Sequence, residues 1–178
     1  MRIIHGSLQG RKIIAPKNLP VRPTTDFAKE GLFNFLDNTI NFENLKVLDL
    51  FSGTGNITYE FASRGASEIT SVDTNYHCVT FIRETIEKFG LKNIKVIKND
   101  VFRFLGFCRE SYDLIFADPP YDLIRTELIP RIVFEKGILN KGGLLVVEHS
   151  EQTDLSDSSH FIEKRTYGKV NFSIFSQK

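Results

Sequence analysis

Four consecutive residues, Asp118-Pro119-Pro120-Tyr121, combine a carboxylate, a stiff turn and an aromatic ring directly after an apolar run. Two prolines fix the backbone and remove two N–H donors, which leaves carbonyls free to accept. The Asp118 carboxylate and the Pro119 carbonyl then make a paired acceptor. A planar exocyclic amine on a nucleobase offers the two N–H groups that match it. The lone pair of such an amine is delocalised into the ring, so the nitrogen is a poor nucleophile. Two acceptors that draw it toward tetrahedral geometry stabilise the positive charge growing on nitrogen as it attacks. Tyr121 adds a face for the base to stack on, worth about 1–3 kcal/mol in comparable sites. Alone, the tetrapeptide reads equally well as a stiff loop with a core aromatic behind it.

A second group of residues describes what such an amine would attack. Asp49-Leu50-Phe51-Ser52-Gly53-Thr54-Gly55 follows an apolar run and precedes an amphipathic one. Gly53 and Gly55 let the backbone turn tightly and let a ligand approach without meeting a Cβ. A dinucleotide fingerprint would require glycine at position 58, which is Thr58. Asp49, at the end of its run, suits a cationic or amino-bearing ligand. Ser71-Val72-Asp73 ends the next apolar run, and a carboxylate there can accept from both hydroxyls of a ribose. Asn99-Asp100-Val101 follows the third, with Asp100 able to take an adenine amino group. Any one of these acids alone reads as a turn or helix cap. Three in order, with no lysine in the glycine turn, describe a nucleoside with a positive, phosphate-free tail. S-adenosylmethionine fits that description.

These residues need strands that end together. Val47–Phe51, Glu68–Val72, Ile94–Ile97, Tyr112–Ala117 and Gly143–Glu148 read as strands. Helices are expected near Asn56–Arg64, Asn75–Phe89, Asp100–Cys108 and Ile124–Lys136, the last with a kink at Pro130. Such alternation specifies an α/β fold whose mostly parallel sheet carries helices on both faces. His160–Arg165 and Val170–Phe175, around Tyr167-Gly168-Lys169, read as an antiparallel hairpin added to the sheet edge. Upstream, Asp26–Leu36 is helical with Thr25 or Asp26 as its cap. Arg2–Ile4 and Lys12–Ala15 can pair as a small ribbon. The expected division is a basic N-terminal β extension, residues 1–25, and one domain over 26–178.

Composition sets the remaining bounds. The chain has 178 residues, 41% hydrophobic and 25% charged, which suits a single packed domain. No apolar run approaches the roughly 18 residues of a membrane span, and the first residues form no leader peptide, so a cytoplasmic protein is expected. Cys78 and Cys108 form no CxxC, and His5, His77, His149 and His160 show no metal-ligand spacing, so no metal is assigned. The net charge of +1 is unevenly spread. Residues 1–25 carry Arg2, Arg11, Lys12, Lys17 and Arg22 and no acid, whereas the remaining residues are net −4. A basic arm on a mildly acidic body brings a polyanion to one edge, and these five side chains are the phosphate-contact candidates.

The glycine turn with Asp73, Asp100 and Asp-Pro-Pro-Tyr resembles the class I adenosylmethionine-dependent amino-methyltransferases. Arg2-Ile3-Ile4-His5-Gly6, Gly10-Arg11-Lys12 and Arg22-Pro23-Thr24-Thr25-Asp26 narrow the resemblance to the RsmD family, bacterial 16S ribosomal RNA guanine-N2 methyltransferases. Ser63-Arg64-Gly65-Ala66 and Val147-Glu148-His149-Ser150 are similar to it too, and the likeness runs over nearly the whole chain. Phe27 and Lys29 stand where the family often shows two arginines. The resemblance implies methylation of the exocyclic amine of one guanine in the small-subunit rRNA; an assembly particle is the favoured form of that substrate over naked rRNA, and a monomer the favoured state of the protein, with neither fixed by the sequence. It further implies that Asp49, Phe51, Gly53 and Gly55 hold the methionine end, with Pro23, Thr24 and Thr25 closing over it. Asp73 would then take the ribose, and Asp100 with Val101 the adenine. Asp118, Pro119, Pro120 and Tyr121 would hold the target base. The alternatives are an adenine-N6 methyltransferase and a non-catalytic RNA-binding or assembly module.

Overall fold

The computed structural model describes residues 1–16, 19 and 24–177. Twelve elements follow one another: α1 (Asp26–Asp37), β1 (Lys46–Leu50), α2 (Asn56–Ser63), β2 (Glu68–Asp73), α3 (Tyr76–Phe89), β3 (Ile94–Lys98), α4 (Val101–Phe107), β4 (Tyr112–Ala117), α5 (Leu128–Glu135), β5 (Leu139–His149), β6 (Phe161–Tyr167) and β7 (Val170–Ser176). The strands form one sheet in the order β3-β2-β1-β4-β5-β7-β6. β1 to β5 run parallel, and β7 joins β5 antiparallel as the inner strand of the C-terminal hairpin. This is the α/β fold, with a mostly parallel sheet, helices on both faces and an antiparallel C-terminal hairpin, expected from the alternation of apolar and amphipathic runs.

The central strands are apolar because both of their faces are covered. Val47, Leu114 and Val146 point into one core with Leu32, Phe33 and Leu36 of α1 and Ile57 and Phe61 of α2. Their neighbours Leu48, Ile115, Leu145 and Val147 point into the other, against Val101 and Leu105 of α4 and Ile129 and Val133 of α5. Alternation of side chains along a strand thus splits one sequence run between two cores. Helix starts follow local chemistry. The Thr25 hydroxyl oxygen accepts from the Ala28 N–H, Asn75 accepts from His77 and Cys78, and Asp100 accepts from Arg103.

The N-terminal segment is fastened along α2 and α3. Ile3 and Ile13 are buried with Tyr59 and Ile82, and the expected ribbon contracts to one antiparallel bridge, Arg2 to Lys12. Gly6 passes so close to the end of α2 that a Cβ there would sit 1.8 Å from the Ser63 carbonyl oxygen. Glu60, fully buried, accepts from the backbone N–H groups of Ile4 and His5, each at 3.0 Å. Lys29, also fully buried, lies 3.4 Å from Glu60 and donates to the Arg2 carbonyl and the Asn56 side chain. Arg64 completes the cluster at 3.1 Å from Glu60.

Two expectations need correction. The helix read over 124–136 begins at Leu128, with turns before it. A start at Ile124 would have placed Pro130 in the helix interior, where its missing N–H costs a hydrogen bond. From Leu128, Pro130 falls in the first turn, where that N–H has no intrahelical partner to lose. β5 is also longer than Gly143–Glu148, because Leu139 already pairs with Tyr112 before an irregularity in register. No helix among the described residues is long and apolar enough to cross a membrane.

Candidate active site

The parallel strands all point their C-terminal ends to one edge, and connections leave β1 and β4 toward opposite faces. That is the switch point at which an open α/β sheet leaves a crevice. The glycine turn and the tetrapeptide sit side by side there: the Asp118 N–H donates to the Leu50 carbonyl at 3.2 Å, which fastens the end of β4 to the end of β1.

The glycine turn is held in an unusual backbone conformation. Phe51 has φ 59°, rare for a bulky residue, and Gly53 and Gly55 have φ 53° and 76°. Asp73 fixes this geometry from the end of β2. One carboxylate oxygen accepts from the Gly53 N–H at 2.8 Å and the other from the Asn75 N–H at 2.7 Å. Each oxygen keeps a second lone pair for a ligand hydroxyl. Phe51 meets Phe102 edge-on, with ring centroids 6.4 Å apart, so the turn is also walled by α4.

Asp49 points inward. It is 1% exposed and accepts from the Thr58 hydroxyl of α2. Burial, with Asp73 nearby adding repulsion, pushes its carboxyl up to about 7. Asp100 is exposed and spends one oxygen on the Arg103 N–H at 2.8 Å as the cap of α4, while Val101 beside it is buried. Asp100 therefore does serve as a helix cap.

The tetrapeptide continues β4. Asp118 is partly buried and Pro119 buried, whereas Pro120 is exposed and its carbonyl accepts from the Leu123 N–H at 2.9 Å. Tyr121 is 54% exposed, so its ring is a surface at the crevice and not a core aromatic. Its hydroxyl donates to Glu148 Oε1 at 3.2 Å. Glu148, 3% exposed, accepts on Oε2 from the Thr24 hydroxyl at 3.0 Å. Burial pushes Glu148 up to about 7. Asp118 is held well above the usual carboxylate range by burial first, then by Glu148 and Asp49. Three acids thus crowd one end of the sheet, and an incoming group with positive charge or N–H donors is what relieves them.

Thr24 and Thr25 divide their roles. Thr24 is buried, gives its proton to Glu148 and accepts on its carbonyl from Asn56, whereas Thr25 is exposed and its oxygen caps α1. Pro23, Arg22 and Lys17 lie outside the described residues. Of the other phosphate-contact candidates, Arg2 pairs with Glu30 at 3.2 Å with both side chains about half exposed. Arg11 is exposed above the Phe89 ring at 5.9 Å, and Lys12 is exposed. Sequence reasoning assigned no task to Glu148. The available signal was a carboxylate ending an otherwise apolar strand, Leu144-Leu145-Val146-Val147-Glu148, the same signal that marked Asp49 and Asp73.

The family described as conserved hypothetical protein 95 matches residues 1–176. YlbH of Bacillus subtilis is 31% identical over the whole of both chains. Ribosomal RNA small subunit methyltransferase D of Buchnera aphidicola is 28% identical, covering 98% of this chain and 91% of that one. Among solved structures, yhhF of Escherichia coli superposes with a TM-score of 0.86 at 25% identity, covering 99% of each chain.

Proposed function

We propose that this chain, which belongs to the conserved hypothetical protein 95 or RsmD family, methylates the exocyclic N2 amine of one guanine in 16S rRNA of the small ribosomal subunit. The observation that carries the reading is the fastening of the Asp118-Pro119 acceptor pair to the glycine turn through the Leu50 carbonyl. An amine gripped by the first lies beside whatever the second holds. The relative named ribosomal RNA small subunit methyltransferase D supports the substrate.

The residues fit S-adenosylmethionine. Asp73 offers its remaining lone pairs to ribose hydroxyls, and no lysine or arginine lies in the turn 51–55 to select a phosphate. The acids Asp49, Asp73, Asp118 and Glu148 surround the crevice with the charge that favours a sulfonium and an ammonium. When bound, the donor supplies a methyl group on a positively charged sulfur, open to in-line displacement. Asp118 and Pro119 accept the two N–H bonds of the target amine and orient its lone pair; as the N–C bond forms the C–S bond breaks, leaving a neutral thioether, and the methylated nitrogen then gives up one proton through Asp118 or to water. Tyr121 presents its ring to the base. Positioning of this kind supplies most of the acceleration when no covalent intermediate forms. The base has to leave its stack to reach the crevice, so the target lies in a loop or at an exposed position. Arg2, Arg11, Lys12, Lys17 and Arg22 would contact the RNA backbone, Arg11 doing so over Phe89 at the end of α3 away from the crevice, with an rRNA assembly particle as the natural substrate.

Incubation with labelled adenosylmethionine and small-subunit particles lacking the modification, followed by nucleoside analysis, tests the reading. The expected product is N2-methylguanosine. N6-methyladenosine would move the protein to the adenine-directed enzymes, and binding of rRNA with no transfer would leave a non-catalytic assembly module.

A further inference from the structure

Gripping an amine requires the Asp118 carboxylate and one carbonyl, yet the crevice buries a second carboxyl beside them. β4 and β5 are parallel neighbours with Ala117 paired to Val147, so Asp118, just past the end of β4, and Glu148, the last residue but one of β5, follow that pair side by side. Glu148 accepts from the hydroxyl of Tyr121, at the rim of the exposed ring on which the base would stack. Each Glu148 oxygen accepts one hydrogen bond, from Thr24 or Tyr121, and a carboxylate oxygen has a second lone pair to offer.

We infer that Glu148 is the residue that selects guanine, by accepting the N1–H of the same base whose N2 amine Asp118 and Pro119 hold. The inference rests on the reading of the site as an N2-guanine methyltransferase. The chemistry of the two purines gives the reason. Next to its amine, guanine carries a ring N1–H donor, whereas adenine carries a ring nitrogen with a lone pair next to its own. Two neighbouring carboxyl acceptors match the first arrangement and repel the second. Asp-Pro-Pro-Tyr by itself cannot tell the two amines apart, because either amine satisfies it. The crowding that holds Asp118 above the carboxylate range comes in part from Glu148, and two donors on one base edge offset the repulsion of both groups at once.

A substrate-by-variant cycle tests the inference. The target guanosine is replaced with 2-aminopurine riboside in full-length 16S rRNA assembled into particles. This analogue keeps the N2 amine and exchanges the N1–H donor for a lone pair. The wild-type protein should prefer guanine in kcat/KM by roughly ten- to a hundred-fold, the discrimination of a well-formed bidentate contact. Glu148→Gln can turn its amide to donate to the bare ring nitrogen, so the preference should shrink several-fold. Tyr121→Phe removes the hydrogen bond to Glu148 while keeping the carboxylate, and should slow both substrates alike. If Glu148→Gln also slows both alike, Glu148 only braces Tyr121 and Thr24, and the inference is overturned. Equal rates on the two substrates with wild-type protein overturn it too, while leaving N2 transfer intact. Absence of any N2 methylation on guanine would remove the underlying reading, and the inference with it.

Discussion

Two buried clusters of charge lie on the same domain and are built on opposite plans. Beneath the N-terminal arm, Glu60 sits between Lys29 and Arg64 and accepts two backbone N–H groups besides. Its charge is matched and its lone pairs are used, so the arm is fixed and little is left to offer a ligand. At the C-terminal edge of the sheet, Asp49, Asp118 and Glu148 share a buried region in which, among the described residues, hydroxyls and a backbone N–H are their hydrogen-bond partners and no ion pair offsets them. Asp49 and Glu148 are pushed up to about 7 and Asp118 is held high as well. Burial alone therefore does not mark a functional group. Compensation does: a charge cluster that is complete in itself is structural, and one that still wants a cation or N–H donors is a site.

The comparison breaks most visibly at Lys29. Lys29→Met leaves Glu60 buried with one of its two cations, and should cost about 3–5 kcal/mol, read as a fall in the midpoint of denaturant unfolding. Methyl transfer by the surviving folded fraction should be retained. Asp118→Ala should do the reverse. Transfer should drop by roughly a hundred- to a thousand-fold, the usual cost of one electrostatic contact to a developing charge. Adenosylmethionine binding by calorimetry should be nearly unchanged, and thermal stability unchanged or higher, since one of three crowded acids is gone. Lost cofactor binding in that variant would misplace the residue.

The acids also set a pH dependence whose direction is opposite to that of an ordinary salt-bridged carboxylate. A carboxyl raised to about 7 in the folded chain favours folding while protonated. The contribution of Asp49 is fully present below its ordinary range near 4, and is lost as pH rises through about 7. Melting temperature should fall by a few degrees from pH 6 to 8, and Asp49→Asn, which can still accept from Thr58, should flatten that slope. Transfer should run the other way, because Asp118 and Glu148 offer both oxygens as charged acceptors only when ionised, so kcat/KM should climb through about pH 7. The smallest effect belongs to the arm. Reversing Arg11 and Lys12 should weaken RNA binding regardless of sequence and flatten its salt dependence by about one unit per contact. An unchanged slope would take the arm out of the RNA interface.

Much of this was legible in the residue order. Strand ends announce themselves by a carboxylate after an apolar run, and Gly90, with φ 65°, stops α3 where its position suggests. Asp49, Asp73 and Asp118 were placed correctly at the sheet edge by that rule. What resisted reading depends on pairings far apart in the chain. Glu148 acquires its partners from Thr24, 124 residues away, and from Tyr121 across neighbouring strands. Lys29 and Glu60 find each other only when α1 and α2 pack on the same face. The start of α5 was misread for a local reason, since an amphipathic pattern continues through 124–127 while Pro130 decides where the first turn falls.

A crystal structure with S-adenosylhomocysteine and guanosine bound together would examine the central claim most directly. The Asp118 carboxylate and Pro119 carbonyl oxygens should each lie about 3 Å from the guanine N2, with N2 directed at the sulfur. Both oxygens turned away from the nucleoside, or shut off from it by Tyr121, would contradict the account.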